Sequence, residues 1–212
     1  MVVLLPLNSA AAEEGQDPLA EAAAYFRSNF GLAFKQVLVD ISDSDTTETV
    51  ALLEGDLVVW PYLSFQSPTR FFGSSSFGWL MEYGLSGFDI DKQSEPFSTD
   101  EARDRGTSAR GWFLYAMPTV TWNPAEDFRM GIGLGGGFMS LKGDALIYDP
   151  FPTVRRIEYD IDELTWGGYL LTEYVFGDFM VGAHAGGLYT EKSPYEYSVT
   201  EASILFSYHK RW

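Results

Sequence analysis

The chain has 212 residues, of which 16% are aromatic and 21 are glycine; it has no cysteine and a formal net charge of −16. This length fits one domain, and the acidic balance makes nucleic acid a poor partner because phosphates are repelled. The lack of cysteine excludes disulfides and thiolate metal sites. No apolar run approaches the ~20 residues of a membrane-spanning helix, and the composition favours strands and tight turns.

The first residues resemble the end of an export signal. Val2–Leu7 is apolar, and the small residues Ala10–Ala12 precede an acidic stretch, as at a signal-peptidase site. We therefore interpret residues 1–12 as a signal-peptide remnant. Residues 13–28 then form a periplasmic lead, helical or flexible, in which Asp17 is a candidate N-cap of an alanine-rich segment.

Residues 29–212 alternate apolar and polar side chains with the two-residue period of β-strands. Eight segments carry this pattern: Asn29–Ile41, Leu57–Gln66, Ser76–Asp89, Arg110–Trp122, Phe128–Leu141, Glu163–Phe176, Phe179–Glu191 and Tyr197–His209. Most of them match or exceed the ~9–11 residues of a strand that crosses a bilayer. Long polar connections, 90–109 and 142–162, follow strands three and five, whereas those after strands two, four and six are shorter. This alternation is typical of outer-membrane barrels.

Four strands carry two aromatic residues ten positions apart on their apolar face. The pairs are Trp112/Trp122, Phe128/Phe138, Trp166/Phe176 and Phe179/Tyr189. Ten residues at ~3.3 Å each, tilted by ~40°, project to about 25 Å, the height of the apolar band between the two aromatic girdles of a membrane barrel. A soluble barrel shows the same alternation with its apolar face inward. Packing of a soluble core does not require aromatic pairs at this fixed spacing in four strands. We therefore predict that the apolar face meets lipid.

The last strand places Ile204, Phe206 and Tyr208 on one face, and the chain ends on Trp212. Such a strand resembles the signal by which bacterial outer-membrane proteins are recognised for assembly. Over residues 29–212 the chain resembles the small eight-stranded outer-membrane barrels of the OmpA, OmpX and OmpW types. The resemblance implies an all-β, up-and-down antiparallel transmembrane barrel in the outer membrane of a Gram-negative bacterium. It carries over no functional residue.

With the apolar face outward, the other face of each strand lines the lumen. Its charged and titratable members are predicted to form a polar network: Lys35, Glu82, Arg129, Glu173, His184 and Glu201. Eight strands leave an interior that side chains just fill, so a plug that satisfies its own charges is the expected state. A gated path or a small ligand niche is the alternative.

Two features disturb the strand pattern. Pro61 and Pro118 lie inside proposed strands, where they remove backbone donors, so we expect a bulge or a shortened strand. Thr49–Gly55 is apolar and reads either as part of a loop or as an extension of strand two above the membrane.

Enzyme and metal signals are weak. His184 is isolated in mid-strand, and no G-x-S-x-G motif is present. We expect no enzymatic activity, no catalytic residue, no cofactor and no transition-metal site. The expected partners are outer-membrane lipid and lipopolysaccharide, with divalent cations at the acidic loops as a further option.

The first functional prediction is a structural or surface-interaction role through the acidic extracellular loops. The second is a narrow, porin-like channel or carrier for small solutes, hydrophobic ones included. The third is a lipid A-modifying enzyme.

Overall fold

The structure is a computed structural model that describes residues 25–73, 76–96, 107–148 and 152–212. Its strands are β1 (Arg27–Asp43), β2 (Thr49–Glu54), β3 (Val58–Gln66), β4 (Arg70–Phe71), β5 (Phe77–Ile90), β6 (Gln93–Glu95), β7 (Ser108–Ala125), β8 (Phe128–Tyr148), β9 (Val154–Phe176), β10 (Phe179–Lys192) and β11 (Tyr195–Arg211). The predicted signal-peptide remnant and nearly all of the predicted lead lie outside the described residues. Over the described ranges, no helix is long and apolar enough to cross a membrane.

Eight of these strands form a closed antiparallel barrel. Its order is β11-β10-β9-β8-β7-β5-β3-β1, and β1 pairs with β11 from Arg27↔Arg211 to Asp43↔Tyr195. Each predicted strand corresponds to one strand of this barrel. The prediction of an all-β, up-and-down barrel of eight strands is therefore confirmed.

The two rims of the barrel differ. The terminal rim carries both ends of the barrel together with tight turns at 126–127 and 177–178, where Gly177 has a φ of 61° that side chains rarely permit. The far rim carries the β1–β2 turn, the long β8–β9 hairpin and the β10–β11 turn. Because outer-membrane barrels keep their short turns in the periplasm, we expect the terminal rim to face the periplasm.

The long polar loop predicted at 142–162 is wrong for most of its length. β8 and β9 stay paired from Lys142↔Asp160 to Tyr148↔Val154. Inward residues of this hairpin, such as Ile147, are apolar and buried, and its outward residues include Lys142 and Asp160. Beyond the membrane, water surrounds the barrel, so the apolar side chains turn inward as in a soluble sheet.

The second barrel strand is broken into two pieces. β2 pairs with β1 from Leu38↔Glu54 to Ser42↔Thr49, and β3 pairs with β1 from Arg27↔Gln66 to Lys35↔Val58. Of the two readings of Thr49–Gly55, extension of strand two is therefore the one observed.

The two prolines do not cause bulges. Pro61 stays in register opposite Leu32, and Pro118 lies opposite Met81. In β7, the register shift falls between Trp122 and Ala125, well past Pro118. Of the two expected outcomes, the bulge is wrong at both prolines, whereas β3 does lose part of its pairing, as described below.

The exterior of the barrel is apolar. Leu134 is 68% exposed on the outer face. Five of the eight predicted girdle residues are exposed, namely Trp112, Trp122, Trp166, Phe176 and Phe179, and Phe128, Phe138 and Tyr189 are half-buried. Several girdle rings pair across neighbouring strands: Trp112 with Phe138 at 5.6 Å, Trp166 with Tyr189 at 5.1 Å, and Phe176 with Phe179 at 6.1 Å. A closed barrel satisfies its backbone internally, and its apolar exterior suits lipid. This is the fold of an outer-membrane β-barrel, as predicted.

Candidate functional site

The barrel interior consists of a mainly polar half near the terminal rim, where a small apolar cluster includes Tyr62 and Met180, and an apolar half near the far rim. Buried apolar side chains fill the far half: Val37, Val39, Ile41, Ala51, Leu53, Phe88, Ile90, Ala109, Phe113, Met117, Met139, Leu141, Ala145, Ile147, Ile157, Tyr159, Ile161, Leu188, Tyr197 and Val199. The polar residues of the other half, which we call the plug, include all six predicted network residues. The interior is therefore polar over only part of its height.

Gln66 lies at the centre of the lower plug. Its Nε2 donates to Glu173 Oε1 at 2.8 Å and to Glu82 Oε2 at 3.2 Å, while its Oε1 accepts from Arg129 Nη1 at 2.8 Å. Tyr169 OH donates to the same Glu82 oxygen at 2.9 Å. Three predicted residues are thus joined through an amide that can donate and accept at once.

Lys35 and Glu201 form the upper part of the plug. Lys35 Nζ lies 2.9 Å from Glu201 Oε2, and Ser86 Oγ donates to that oxygen at 2.6 Å while accepting from Lys35. The ammonium also lies 5.5 Å from the centre of the Trp60 ring. Lys35 is only 1% exposed, so the carboxylate and the ring replace the water that it loses.

His184, the sixth predicted residue, packs between aromatic rings. Its imidazole stacks on Tyr169 at 5.6 Å and meets the edge of Tyr62 at 5.9 Å. His184 Nε2 lies 3.7 Å from Glu173 Oε1, which is too long for a hydrogen bond. Ser203 is opposite His184 in register, yet neither Ser203 Oγ nor His184 Nε2 has a hydrogen-bond partner in the described structure. A nucleophile–base pair is therefore not assembled here.

Arg27 belongs to the plug, although it falls within residues 13–28, which are predicted to form the lead. It is 7% exposed and lies opposite Gln66 in register. With Arg27, Lys35 and Arg129, three buried cations face the three carboxylates of the plug. The parity that Arg27 shares with Lys35 is a signal that could have identified it. No group of three or more histidine or acidic side chains in the described ranges is arranged to hold a metal ion.

The barrel wall opens between β3 and β5. The two strands pair only from Leu63↔Leu85 to Gln66↔Glu82, although β3 begins at Val58 and β5 continues to Ile90. Pro61, two residues beyond the last pair, has no backbone N–H to offer a neighbour. This shortened pairing leaves what we call the wall gap.

A groove of about 860 Å³ lies at the wall gap. The Trp60 indole lies against Gly87, where an added Cβ would be 3.1 Å from Trp60 Nε1, so glycine permits this close approach. Ser86, beside Gly87, belongs to the plug, and Phe88 belongs to the apolar half. The wall gap therefore begins where the two halves of the interior meet.

The chain is similar to several solved structures of outer-membrane proteins. The attachment invasion locus protein Ail of Yersinia pestis is 10% identical, with 87% of this chain and 98% of that chain covered and a TM-score of 0.43. OprG of Pseudomonas aeruginosa is 10% identical, with coverages of 89% and 96% and a TM-score of 0.44. The outer membrane protease OmpT of Escherichia coli is 8% identical, with coverages of 89% and 97% and a TM-score of 0.44.

The sequence matches no protein-family model and no curated protein. At 8–10% identity, the similar structures say nothing about the activity of this chain. The expected lack of enzymatic activity therefore stays a prediction.

Proposed function

We propose that the barrel takes up small apolar solutes at its far rim and releases them sideways, through the wall gap, into the membrane. The observation that supports this most directly is the position of the gap. It opens beside Ser86 and Phe88, where the apolar half of the interior meets the plug. A solute that enters the apolar half from the far rim meets the plug at this level, and the wall gap gives it a lateral exit there.

The plug disfavours passage to the periplasm. Glu173 is 2% exposed, lies 3.7 Å from the buried Arg129 guanidinium and accepts a hydrogen bond from Gln66. Removing one partner of a buried charge pair costs about 3–5 kcal/mol, and an apolar solute has no polar group with which to replace the partner. The axial route is therefore closed to the solutes that the apolar half accepts.

The apolar half is closely packed, since the cavity beside Met117 and Leu188 measures about 40 Å³, so a solute passes only as side chains move aside. Met117 and Met139 are buried within it, and methionine adapts its shape to irregular partners at low cost. The groove at the wall gap, rather than the apolar half itself, has the volume of a small-molecule site: about 860 Å³, against roughly 300–1,000 Å³. Trp60 stands between the interior and this groove, so we assign it the role of a gate.

The experiment closes the wall gap reversibly with a disulfide. The chain has no cysteine, so Val59→Cys with Asp89→Cys creates a single bridge between positions that the β3–β5 register would pair if it continued. The matched control is Phe65→Cys with Tyr83→Cys, an exposed pair that is already in register and does not line the groove. Uptake is measured in a host bacterium with a naphthalene dye that fluoresces in lipid, before and after reduction.

We expect the oxidised Val59/Asp89 bridge to lower dye uptake to the level of cells without the protein, and reduction to restore it. The oxidised control bridge should leave uptake unchanged. Undiminished uptake with the gap bridge fully formed on a gel would show that solutes do not leave through the wall.

The surface-interaction role through the acidic loops stays a prediction. Residues 97–106 of the first loop and 149–151 of the second lie outside the described residues. A lipid A-modifying activity gains no support from His184, which is not paired with a nucleophile.

A further inference from the structure

Four charged side chains lie in one row across the outer face of β5, β7, β8 and β9. The register places Asp89 opposite Arg110, Arg110 opposite Lys142, and Lys142 opposite Asp160. Two cations are thus direct neighbours across β7 and β8, with an acid on each side. Like charges directly opposite each other destabilise a sheet, and an anion placed between them removes that penalty.

Each cation has a partner on its outer flank. Arg110 donates through Nε and Nη2 to Asp89 Oδ2 at 3.0 and 2.6 Å, and Lys142 Nζ donates to Asp160 Oδ2 at 3.0 Å. The side chains of Arg110 and Lys142 remain 77% and 59% exposed. The acids therefore hold the two cations in place while leaving them accessible to a further ligand.

The row stands immediately above the far aromatic girdle. Trp112 lies two residues below Arg110 on the same face of β7, and its ring packs against Phe138 at 5.6 Å. Two strand residues tilted by ~40° span about 5 Å along the barrel axis. The cations are consequently at the level where lipid head groups begin.

The same two cations line one end of the wall-gap groove. Arg110, Lys142 and Trp112 share this groove with Leu63 and Leu85, which lie at the last pair of the β3–β5 ladder. The cavity thus has a charged end, lined by Arg110, Lys142 and the Asp89 carboxylate that holds Arg110, at the level of head groups, and an apolar body at the level of acyl chains. Its shape and chemistry match one amphipathic molecule rather than a free anion or a hydrocarbon.

We propose that the groove holds an outer-leaflet lipid, whose phosphate binds between Arg110 and Lys142 and one of whose acyl chains lies along Leu63 and Leu85. A guanidinium binds phosphate oxygens through two parallel hydrogen bonds, and the ammonium adds a point charge. This site does not depend on the proposed transport.

The test is lipid retention by the purified full chain in detergent, measured by native mass spectrometry. Three probes are added separately: phosphorylated lipid A, the same lipid A after removal of its phosphates, and inorganic phosphate. The variant is Arg110→Gln with Lys142→Gln. The matched control is Lys210→Gln, which removes an exposed cation near the terminal rim, where Lys210 lies over the Trp212 ring.

We expect the wild type and the Lys210→Gln control to retain phosphorylated lipid A, and the double variant to bind it about tenfold or more weakly, since charge-assisted contacts are lost. Loss of the phosphates from the lipid should weaken binding to the wild type by a similar factor. Equal retention by the double variant, or equal retention of both lipids, would overturn the site. If inorganic phosphate displaced the bound lipid A at the same concentration, the site would bind anions in general and the proposal of a lipid site would be overturned. Dye uptake by the double variant is measured in parallel, so that a failure of the lipid site is distinguished from a failure of the proposed transport.

Discussion

Arginine in place of Leu134 tests directly whether the outer face of the barrel meets lipid. Leu134 is 68% exposed and lies six residues beyond Phe128 and four before Phe138 on the same face of β8. At ~3.3 Å per residue and ~40° tilt, these spacings put it about 15 and 10 Å from the two girdle levels. Arginine near the midplane of a bilayer costs roughly 2–4 kcal/mol, so the free energy of unfolding should fall by that amount.

The matched control is Leu164→Arg. Leu164 is 81% exposed and lies two residues beyond Trp166, on the far-rim side of the girdle. The same substitution should cost only about 0–1 kcal/mol there, because the penalty vanishes near the interface. The assay is reversible urea unfolding in lipid vesicles, followed by tryptophan fluorescence. Equal effects at the two positions would refute the membrane assignment, since a soluble barrel exposes both side chains to water.

Three further predictions follow from individual contacts. Glu173→Gln should lower the free energy of unfolding by about 3–5 kcal/mol in the same urea assay, because Arg129 stays buried without its counter-charge; a loss below 1 kcal/mol would contradict this. Trp60→Ala should raise dye uptake by opening the gate, and unchanged uptake would remove Trp60 from the path. Backbone hydrogen bonds from Thr46 and Asp45 hold the pKa of Asp43 below its usual value. The ionised Asp43 carboxylate therefore stabilises the fold fully above about pH 4, and this stabilisation is lost as the pH falls through the lowered pKa of Asp43. An NMR titration midpoint of Asp43 at or above that of a free aspartate would contradict the turn geometry.

Much of the fold was predictable because it depends on local alternation. A period of two residues decides which side chains share a face, and this placed Glu82, Glu173 and His184 inside without knowledge of any pairing. The spacing of Trp112 and Trp122 indicated the outward face because bilayer thickness sets that distance. These inferences need only the pattern within single strands.

The candidate site was less predictable because it depends on which strands meet. The role of Gln66 as a bridge between Glu82 and Glu173 depends on its contact with Glu173, which is 107 positions away in the chain. Predicting the wall gap likewise requires knowledge of the β3–β5 register, because the pairing of these strands ends at Leu63 although both strands continue. Pro61 was a visible signal of disturbed pairing, but a proline alone does not say which neighbour is lost.

The error at the β8–β9 hairpin has a physical cause that also explains the proposed site. Within the membrane, Leu134 of β8 faces outward and the inward positions of β8 are small or polar. Beyond the girdle, Lys142 faces outward and Leu141 faces inward. The alternation continues without a break while its polarity inverts, because the solvent outside the wall changes from lipid to water. The charged outward residues beyond the girdle therefore gave this segment the polarity of a loop, although it is a strand surrounded by water. The same inversion creates an apolar interior above a polar plug, and a barrel with that division accepts apolar solutes only if its wall offers them an exit.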